Sequence, residues 1–276
     1  MMWFMNSMLS RLFNVLFFPF RHLNPWFGMV FISLLTGLLM LVIFRLTSNQ
    51  KGIKKVKDKI KAHLLELRLF KDSLNISLKA QGQILRHNLR YVGYSLKPML
   101  VMMIPLILIL VQMNVWFGYK PLRPGESTIL KVKLEKSARP MELDASIEAP
   151  AGVVVATPPL RLEEEREIDW RIQAVSKGVH ELIVKIGGQN VVKSVAVGLE
   201  PLARISPLKV KRGFFDEIFN PGEKPLSSPA LVKSIEVMYP PNRMNILGLR
   251  LHWLIAYFVL SILIGFALKK PFQVEI

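Results

Sequence analysis

Four polar side chains inside long apolar runs are the residues of this sequence best placed to act on another molecule. They are Thr36, Gln112, Asn114 and Ser261, and each lies within an uncharged run of 18 to 21 residues. A polar group in such a run must bond to its own helix, to neighbouring protein or to water, because hydrocarbon offers no partner. Gathered in one cavity, these groups could hold a polar segment in apolar surroundings. With Arg45, at the end of the first run, they form a candidate groove.

Each of these polar residues also has a plainer interpretation. Thr36 and Ser261 fall roughly 15 Å from the start of their runs at 1.5 Å per residue, and hydroxyls there commonly bond to their own helix. Gln112 and Asn114 are costlier in lipid and are therefore expected to face protein or water. The sequence leaves both interpretations open.

Three methionines, Met99, Met102 and Met103, lie at the start of the second apolar run. Flexible thioethers adapt to varied apolar partners, so this cluster is a candidate contact for a hydrophobic client helix. Ordinary packing between helices would explain the same three residues.

A basic segment follows the first apolar run. Its candidate binding residues are Lys51, Lys54, Lys55, Lys57, Lys59 and Lys61. The chain carries a net charge of +17, which by itself would suit nucleic acid. The excess lies beside the apolar runs, however, as charges that set membrane orientation do, and DNA is not an expected partner. Contact with lipid headgroups and docking of a ribosome or another protein both remain open.

Most enzymatic chemistry has no candidate residues here. The chain has no cysteine and five scattered histidines, so we expect no disulfide, no thiolate site and no metal site. The sequence also contains no Walker A loop, no GxGxxG and no GxSxG. We therefore expect a protein that is not an enzyme and has no cofactor. The run Glu163–Glu165 is interpreted as a solvated loop, with a cation site as the alternative.

The apolar runs predict three transmembrane helices whose lengths match a hydrocarbon core of roughly 30 Å. The positive-inside rule places the basic segment in the cytoplasm, the N-terminus outside and the C-terminus inside.

The first residues resemble an interfacial amphipathic helix with polar positions 7, 10, 11 and 14. A signal peptide is the alternative, but the segment lacks a basic start and a small-residue cleavage site.

The basic segment has apolar residues at three- and four-residue spacing, with a break at 71–76. This pattern predicts a coiled-coil-like pair of helices, about 49–70 and 74–95, folded as an antiparallel hairpin.

After residue 119 the spacing changes to the alternation of β-strands, with Trp170 as a core anchor and Gly187–Gly188 as a two-residue hairpin. Phe214–Phe219 is expected to be a short apolar helix touching the membrane or a partner. Short strands at this spacing suggest an immunoglobulin-like sandwich.

The predicted fold class is thus a membrane α-helical protein with an all-β, immunoglobulin-like extracytoplasmic domain. In chain order we predict an interfacial helix over 1–23, a transmembrane helix over 26–46, a cytoplasmic basic hairpin over 47–96, a transmembrane helix over 98–118, a β-sandwich over 120–245, a transmembrane helix over 248–268 and a cytoplasmic tail over 269–276.

This layout resembles the YidC/Oxa membrane insertase superfamily, in its compact three-span branch similar to the insertase subunit of the ER membrane complex. The resemblance is carried by the segments Asn24–Phe27, Phe44–Gln50, Leu64–Asp72, Ala80–Tyr91 and Leu96–Pro98. It covers residues 24–119 and the third span, and the β-sandwich is an addition to the family plan. YidC-like proteins carry a positive charge well inside a span, whereas Arg45 lies at the end of one.

The resemblance implies a non-enzymatic function in inserting or assembling membrane proteins in the bacterial inner membrane. The expected partners are the lipid bilayer and nascent membrane proteins or a ribosome. The alternative function is a structural scaffold of an envelope complex, whose β domain binds an extracytoplasmic protein.

Overall fold

The structure is a computed structural model that describes residues 2–227, 231–246, 248–272 and 274. Parts of the predicted β-sandwich (228–230) and of the predicted tail (273, 275 and 276) lie outside the described residues. The chain divides into two compact units. The β unit comprises Met1–Gly28 and Leu108–Ala256, and the helical unit comprises Met29–Ile107 and Tyr257–Ile276.

Most of the described helices lie before residue 118 or after residue 252. In chain order they are α1 (Met2–Phe17), a 3₁₀ turn (Phe18–Phe20), α2 (Pro25–Thr47), α3 (Gln50–Leu69), α4 (Leu74–Phe117), α5 (Phe214–Phe219) and α6 (Trp253–Leu268). By length and composition, α2 and α4 could each cross a membrane, and α6 is a shorter apolar helix of 16 residues. The side chain of Asn49 caps α3 by accepting a hydrogen bond from the Gly52 amide at 2.9 Å.

The predicted end of the second hairpin helix near residue 95 is wrong. Helix α4 continues without a break for 44 residues and contains both Pro98 and Pro105. An interior proline removes a backbone hydrogen bond and costs about 3 kcal/mol. Pro98 is buried, and we attribute the continuity of the helix to packing that offsets the lost bond.

The predicted third transmembrane helix, 248–268, begins too early. Residues Leu249–His252 form strand β11, which pairs antiparallel with β10 (Arg243–Ile246). The pairing sets Arg250 opposite Asn245 and His252 opposite Arg243. This polar ladder explains why the helix starts only at Trp253.

The helices α3 and α4 meet through a face that the sequence pattern does not single out. His63 stacks on His87 with ring centroids 5.6 Å apart, and Ile53 packs near Tyr91 and Tyr94. Burial and the basic neighbours Lys59, Arg86 and Arg90 lower the pKa of His87. The leucine repeat of α4 points away from this contact, and its members are more than half exposed: Leu74, Leu78, Leu85 and Leu89. The coiled-coil-like pairing predicted from the apolar spacing is therefore wrong for these four residues.

The β unit contains two antiparallel sheets besides the β10–β11 hairpin. The strands are β1 (Ser127–Leu134), β2 (Ala145–Glu148), β3 (Val153–Val155), β4 (Leu160–Leu162), β5 (Glu167–Ala174), β6 (Gly178–Ile186), β7 (Gln189–Val197), β8 (Leu208–Val210) and β9 (Val232–Val237). One sheet has the order β3-β5-β1-β9-β8 with β4 also on β5, and the other has the order β2-β6-β7.

One buried core takes side chains from both sheets. Trp170 is its largest member, and it is joined by Val132 of the first sheet and by Val184 and Val195 of the second. The predictions of a Trp170 anchor and of a short helix at Phe214–Phe219 are confirmed. The two-residue hairpin is also confirmed, since Ile186 pairs with Gln189 and both glycines between them have positive φ.

Tyr239 gives a test of this core. Its buried hydroxyl accepts a hydrogen bond from the Ala196 amide at 2.8 Å, and burial raises the pKa of Tyr239. Tyr239→Phe should lower the free energy of unfolding of the β unit by about 1–3 kcal/mol, because a buried N–H is left without an acceptor. Thermal unfolding of the whole chain in detergent measures this loss. Tyr119→Phe, at the edge of the same core, is the control, and an equal loss there would contradict the assignment.

Candidate functional site

The helical unit encloses an apolar groove of about 590 Å³. Helices α2, α4 and α6 all contribute to its wall, through residues that include Phe44, Leu96, Met99, Met102 and Phe258. Two glycines, Gly37 of α2 and Gly265 of α6, also line it. A Cβ added to Gly37 would lie 3.2 Å from the side chain of Ile264. The close approach of α2 and α6 thus depends on a small residue, as helix contacts in membranes commonly do.

Five hydroxyl-bearing side chains interrupt the apolar lining of the groove. They belong to Thr36 of α2, to Tyr91 and Ser95 of α4, and to Tyr257 and Ser261 of α6. Thr36 donates a hydrogen bond to the Ile32 carbonyl at 2.8 Å, so its hydroxyl bonds to its own helix. The buried Tyr257 hydroxyl lies beside the hydroxyls of Thr36 and Ser261 and interacts with both. The groove therefore contains a small hydroxyl cluster among apolar side chains.

The three candidate methionines do not share one environment. Met99 and Met102 line the groove, whereas Met103 does not. Met99 and Met103 are almost equally exposed, at 54% and 51% of the residue surface. They form a matched pair in which only one member faces the groove.

The predicted basic residues lie apart from the groove lining. Arg45 is exposed at the end of α2 and does not contribute to the groove. Five of the six candidate lysines of α3 are exposed, and Lys57 is half-buried. These charges can act on a surface outside the groove, such as lipid headgroups or an acidic partner.

The candidate residues Gln112 and Asn114 belong to the β unit, so the structure does not group them with Thr36 and Ser261. The Gln112 side chain lies 3.4 Å from the Ser10 hydroxyl of α1 and is buried. Arg204 donates to the same hydroxyl at 2.9 Å and to the Pro221 carbonyl at 2.7 Å. Asn114 is half-buried. Of the two, Gln112 thus faces protein, which was one of its two expected partners.

Arg204 and its partners form a polar joint between α1 and the β-rich part of its unit. Burial lowers the pKa of Arg204, and its Nε atom has no hydrogen-bond partner among the described residues. One helical turn before Ser10, the Asn6 side chain of α1 donates a hydrogen bond to the Glu217 carbonyl of α5. We refer to Asn6, Ser10, Gln112, Arg204 and the Glu217 carbonyl as the polar joint.

Sequence reasoning missed one buried charge. Lys193 of β7 is fully buried, and its ammonium donates to Glu223 at 2.6 Å and to the Ser206 carbonyl at 2.7 Å. Burial lowers the pKa of Lys193, and Glu223 partly offsets this effect. The alternation of side chains along β7 could have indicated this burial, because Lys193 lies on the same inward face as Val195 and Val197.

Among the residues that the structure describes, no group of three or more histidine, aspartate or glutamate side chains could hold a metal ion. Comparisons with protein-family models, with curated proteins and with solved structures find no match to this chain.

Proposed function

We propose that this protein inserts or assembles membrane proteins without enzymatic chemistry, in the manner of the YidC/Oxa superfamily. The observation that carries the proposal is the groove of about 590 Å³ among three apolar helices. This volume lies within the range of about 300–1,000 Å³ in which proteins hold small ligands. It would accommodate a few side chains of a client helix, with Met99 and Met102 as adaptable contacts.

The length of α6 supports the same function. Sixteen residues span about 24 Å at 1.5 Å per residue, which is less than the roughly 30 Å of a typical hydrocarbon core. A short span is accommodated by local thinning of the bilayer. Thinning would shorten the path of a polar client segment, and the hydroxyl groups that line the groove would bond to it.

The proposal includes a membrane topology. Helices α2, α4 and α6 would span the plasma membrane, with the N-terminus outside and the basic helix α3 in the cytoplasm. The β unit would then face the extracytoplasmic side, and its two sheets around one core support an immunoglobulin-like sandwich. Nascent membrane proteins are the proposed clients, and the α3 lysines would contact lipid headgroups or a ribosome.

Photo-crosslinking tests the groove directly. A photoreactive amino acid at Met102 should capture nascent membrane proteins, because this residue lines the groove. The same probe at Gln112 should capture α1 of its own chain, since Gln112 is buried against Ser10. Capture is read by gel shift and mass spectrometry. Only lipid adducts at Met102, with the protein abundant and folded, would contradict the proposal.

The independent core of the β unit favours a second function, a scaffold whose β domain binds an extracytoplasmic partner. Deleting residues 120–245 separates the two functions. An insertase should keep residual client insertion after the deletion, whereas a scaffold should lose its partner entirely in affinity purification.

A further inference from the structure

Helix α1 buries two polar side chains and exposes a row of apolar ones. Asn6 and Ser10 are buried in the polar joint, and Phe13 and Phe17 pack beneath them. The opposite face carries Phe4, Met8, Leu12 and Val15, with Phe4 exposed over 75% of its surface. A helix on the surface of a water-soluble core would instead expose a mainly polar face.

Helix α5 extends this apolar surface from the β-rich part of the same unit. Helices α1 and α5 pack against each other, and the Asn6–Glu217 hydrogen bond links them. The exposed residues of α5 are mainly aromatic: Phe214, Phe215 and Phe219. The exposed charges of the two helices are Arg11 and Asp216, so apolar groups dominate the joint surface. Exposed apolar patches of this kind mark contact with a membrane or a partner.

The polar joint fixes the depth of this surface relative to the apolar helix α4. Ser10 contacts Gln112, which precedes the end of α4 at Phe117 by five residues, or about 8 Å along the axis. Phe17 packs against Trp116 with ring centroids 4.9 Å apart and the rings tilted, so α1 also packs beside the last turn of α4. Interfacial helices bury their apolar face about 5–10 Å into the boundary of headgroups and acyl chains. The Ser10 contact lies at a comparable distance from the end of α4.

We infer that the outward side chains of α1 and α5 form one lipid-facing surface, which anchors the β unit in the extracytoplasmic leaflet. The occupant of this surface is the bilayer, since α1 adjoins the apolar part of α4 and its polar groups already bond to protein. The inference rests on the membrane location in the proposed function but not on client insertion. It assigns the polar joint the role of orienting α1 so that its apolar face meets lipid.

Single-cysteine spin labelling tests this inference, because the chain has no native cysteine. The variants Phe4→Cys, Leu12→Cys and Phe215→Cys place labels on the proposed surface of the full chain. All three positions are exposed, so a label should not disturb the core. The labelled chain is reconstituted in vesicles of phosphatidylcholine and phosphatidylglycerol. Collision with oxygen, which concentrates in lipid, is then compared with collision with a water-soluble nickel chelate.

Two control positions separate failure of this inference from failure of the membrane location. Leu160→Cys, on strand β4 and 60% exposed, should collide more with nickel. Val101→Cys, an exposed position within α4, should collide more with oxygen. At positions 4, 12 and 215 we expect oxygen to exceed nickel, as at 101.

Other outcomes overturn the inference. Nickel exceeding oxygen at 4, 12 and 215, with oxygen dominant at 101, would show that the surface faces water while the chain still spans lipid. Low collision with both reagents would show that a protein partner or a second copy covers it. Nickel dominance at 101 as well would overturn the membrane location itself.

Discussion

Replacing Met99 by tryptophan should reduce the insertion of client membrane proteins about tenfold. The indole would occupy space in the groove that a client side chain is proposed to fill. Fully burying one side chain of methionine or leucine size contributes about 1.5–3 kcal/mol, and 1.4 kcal/mol corresponds to about a factor of ten. The measurement is the protease-protected fraction of a newly synthesised single-span protein added to vesicles that contain the purified chain.

Met103→Trp is the matched control for this prediction. Met103 lies on the same helix with nearly the same exposed fraction, but it does not line the groove. Insertion by the control should stay within about twofold of the unsubstituted chain, since surface substitutions commonly change stability by less than about 0.5 kcal/mol. Equal losses for both variants would indicate a general effect on α4 and would contradict a specific role for the groove.

Replacing Glu223 by glutamine should destabilise the β unit by about 3–5 kcal/mol, because a buried charge loses its partner. Lys193 would keep the Ser206 carbonyl and the glutamine amide oxygen as neutral acceptors but would lose its counter-charge. Amide exchange in β6 and β7 should become about 100- to 4,000-fold faster, at roughly 1.4 kcal/mol per factor of ten. Hydrogen-exchange mass spectrometry of the full chain in detergent measures this change.

The destabilised variant should recover part of its stability as the pH rises. Burial lowers the pKa of Lys193 below its ordinary value of 10.5 in the folded state. Between that lowered pKa and 10.5, the unfolded chain binds more protons than the folded one, so the free energy of unfolding increases with pH. Losing the Glu223 charge should lower the folded pKa further and widen this window.

A double variant provides the control for the ion pair. Lys193→Met with Glu223→Leu replaces both charges by apolar groups, which often leaves stability unchanged or improved. Its stability should lie near that of the unsubstituted chain and should not gain the added pH dependence. If the double variant were as unstable as Glu223→Gln, packing and not an uncompensated charge would explain the loss.

The strands of the β unit could be predicted from the sequence because one face of each long strand meets the core. The alternation in β1, β5, β6 and β7 therefore indicated both the elements and their buried side chains. Gly187 and Gly188 marked the tight turn, because both adopt positive φ there. The sequence pattern therefore predicts the structure well where buried side chains recur at every second residue of a strand.

The helical elements were harder to predict because burial there depends on distant partners. The start of α6 at Trp253 depends on the preceding strand β11, which pairs with Arg243–Ile246. The contact face of α3 and α4 depends on a histidine pair that lies 24 positions apart in sequence, His63 and His87. The inward polar face of α1 depends on Arg204, which no local pattern could place beside Ser10.

The candidate site was predicted in part. Thr36, Met99, Met102 and Ser261 all line the groove. Gln112 instead forms part of the polar joint, because its unsatisfied amide found a partner in α1 and not in the apolar helices. Polarity within an apolar run thus indicated a need for a partner but did not identify the partner.

The two prolines of α4 give this helix a directional elasticity. Pro98 and Pro105 lack an N–H, so the carbonyls of Tyr94 and Val101 cannot receive the usual helical hydrogen bond. A spacing of seven residues brings these two carbonyls to within about 20° of the same side of the helix. Both weak points therefore favour bending in one plane. A load applied in that plane to the N-terminal part of α4 should tilt the α4 wall of the groove, whereas the helix should resist a load at right angles to it.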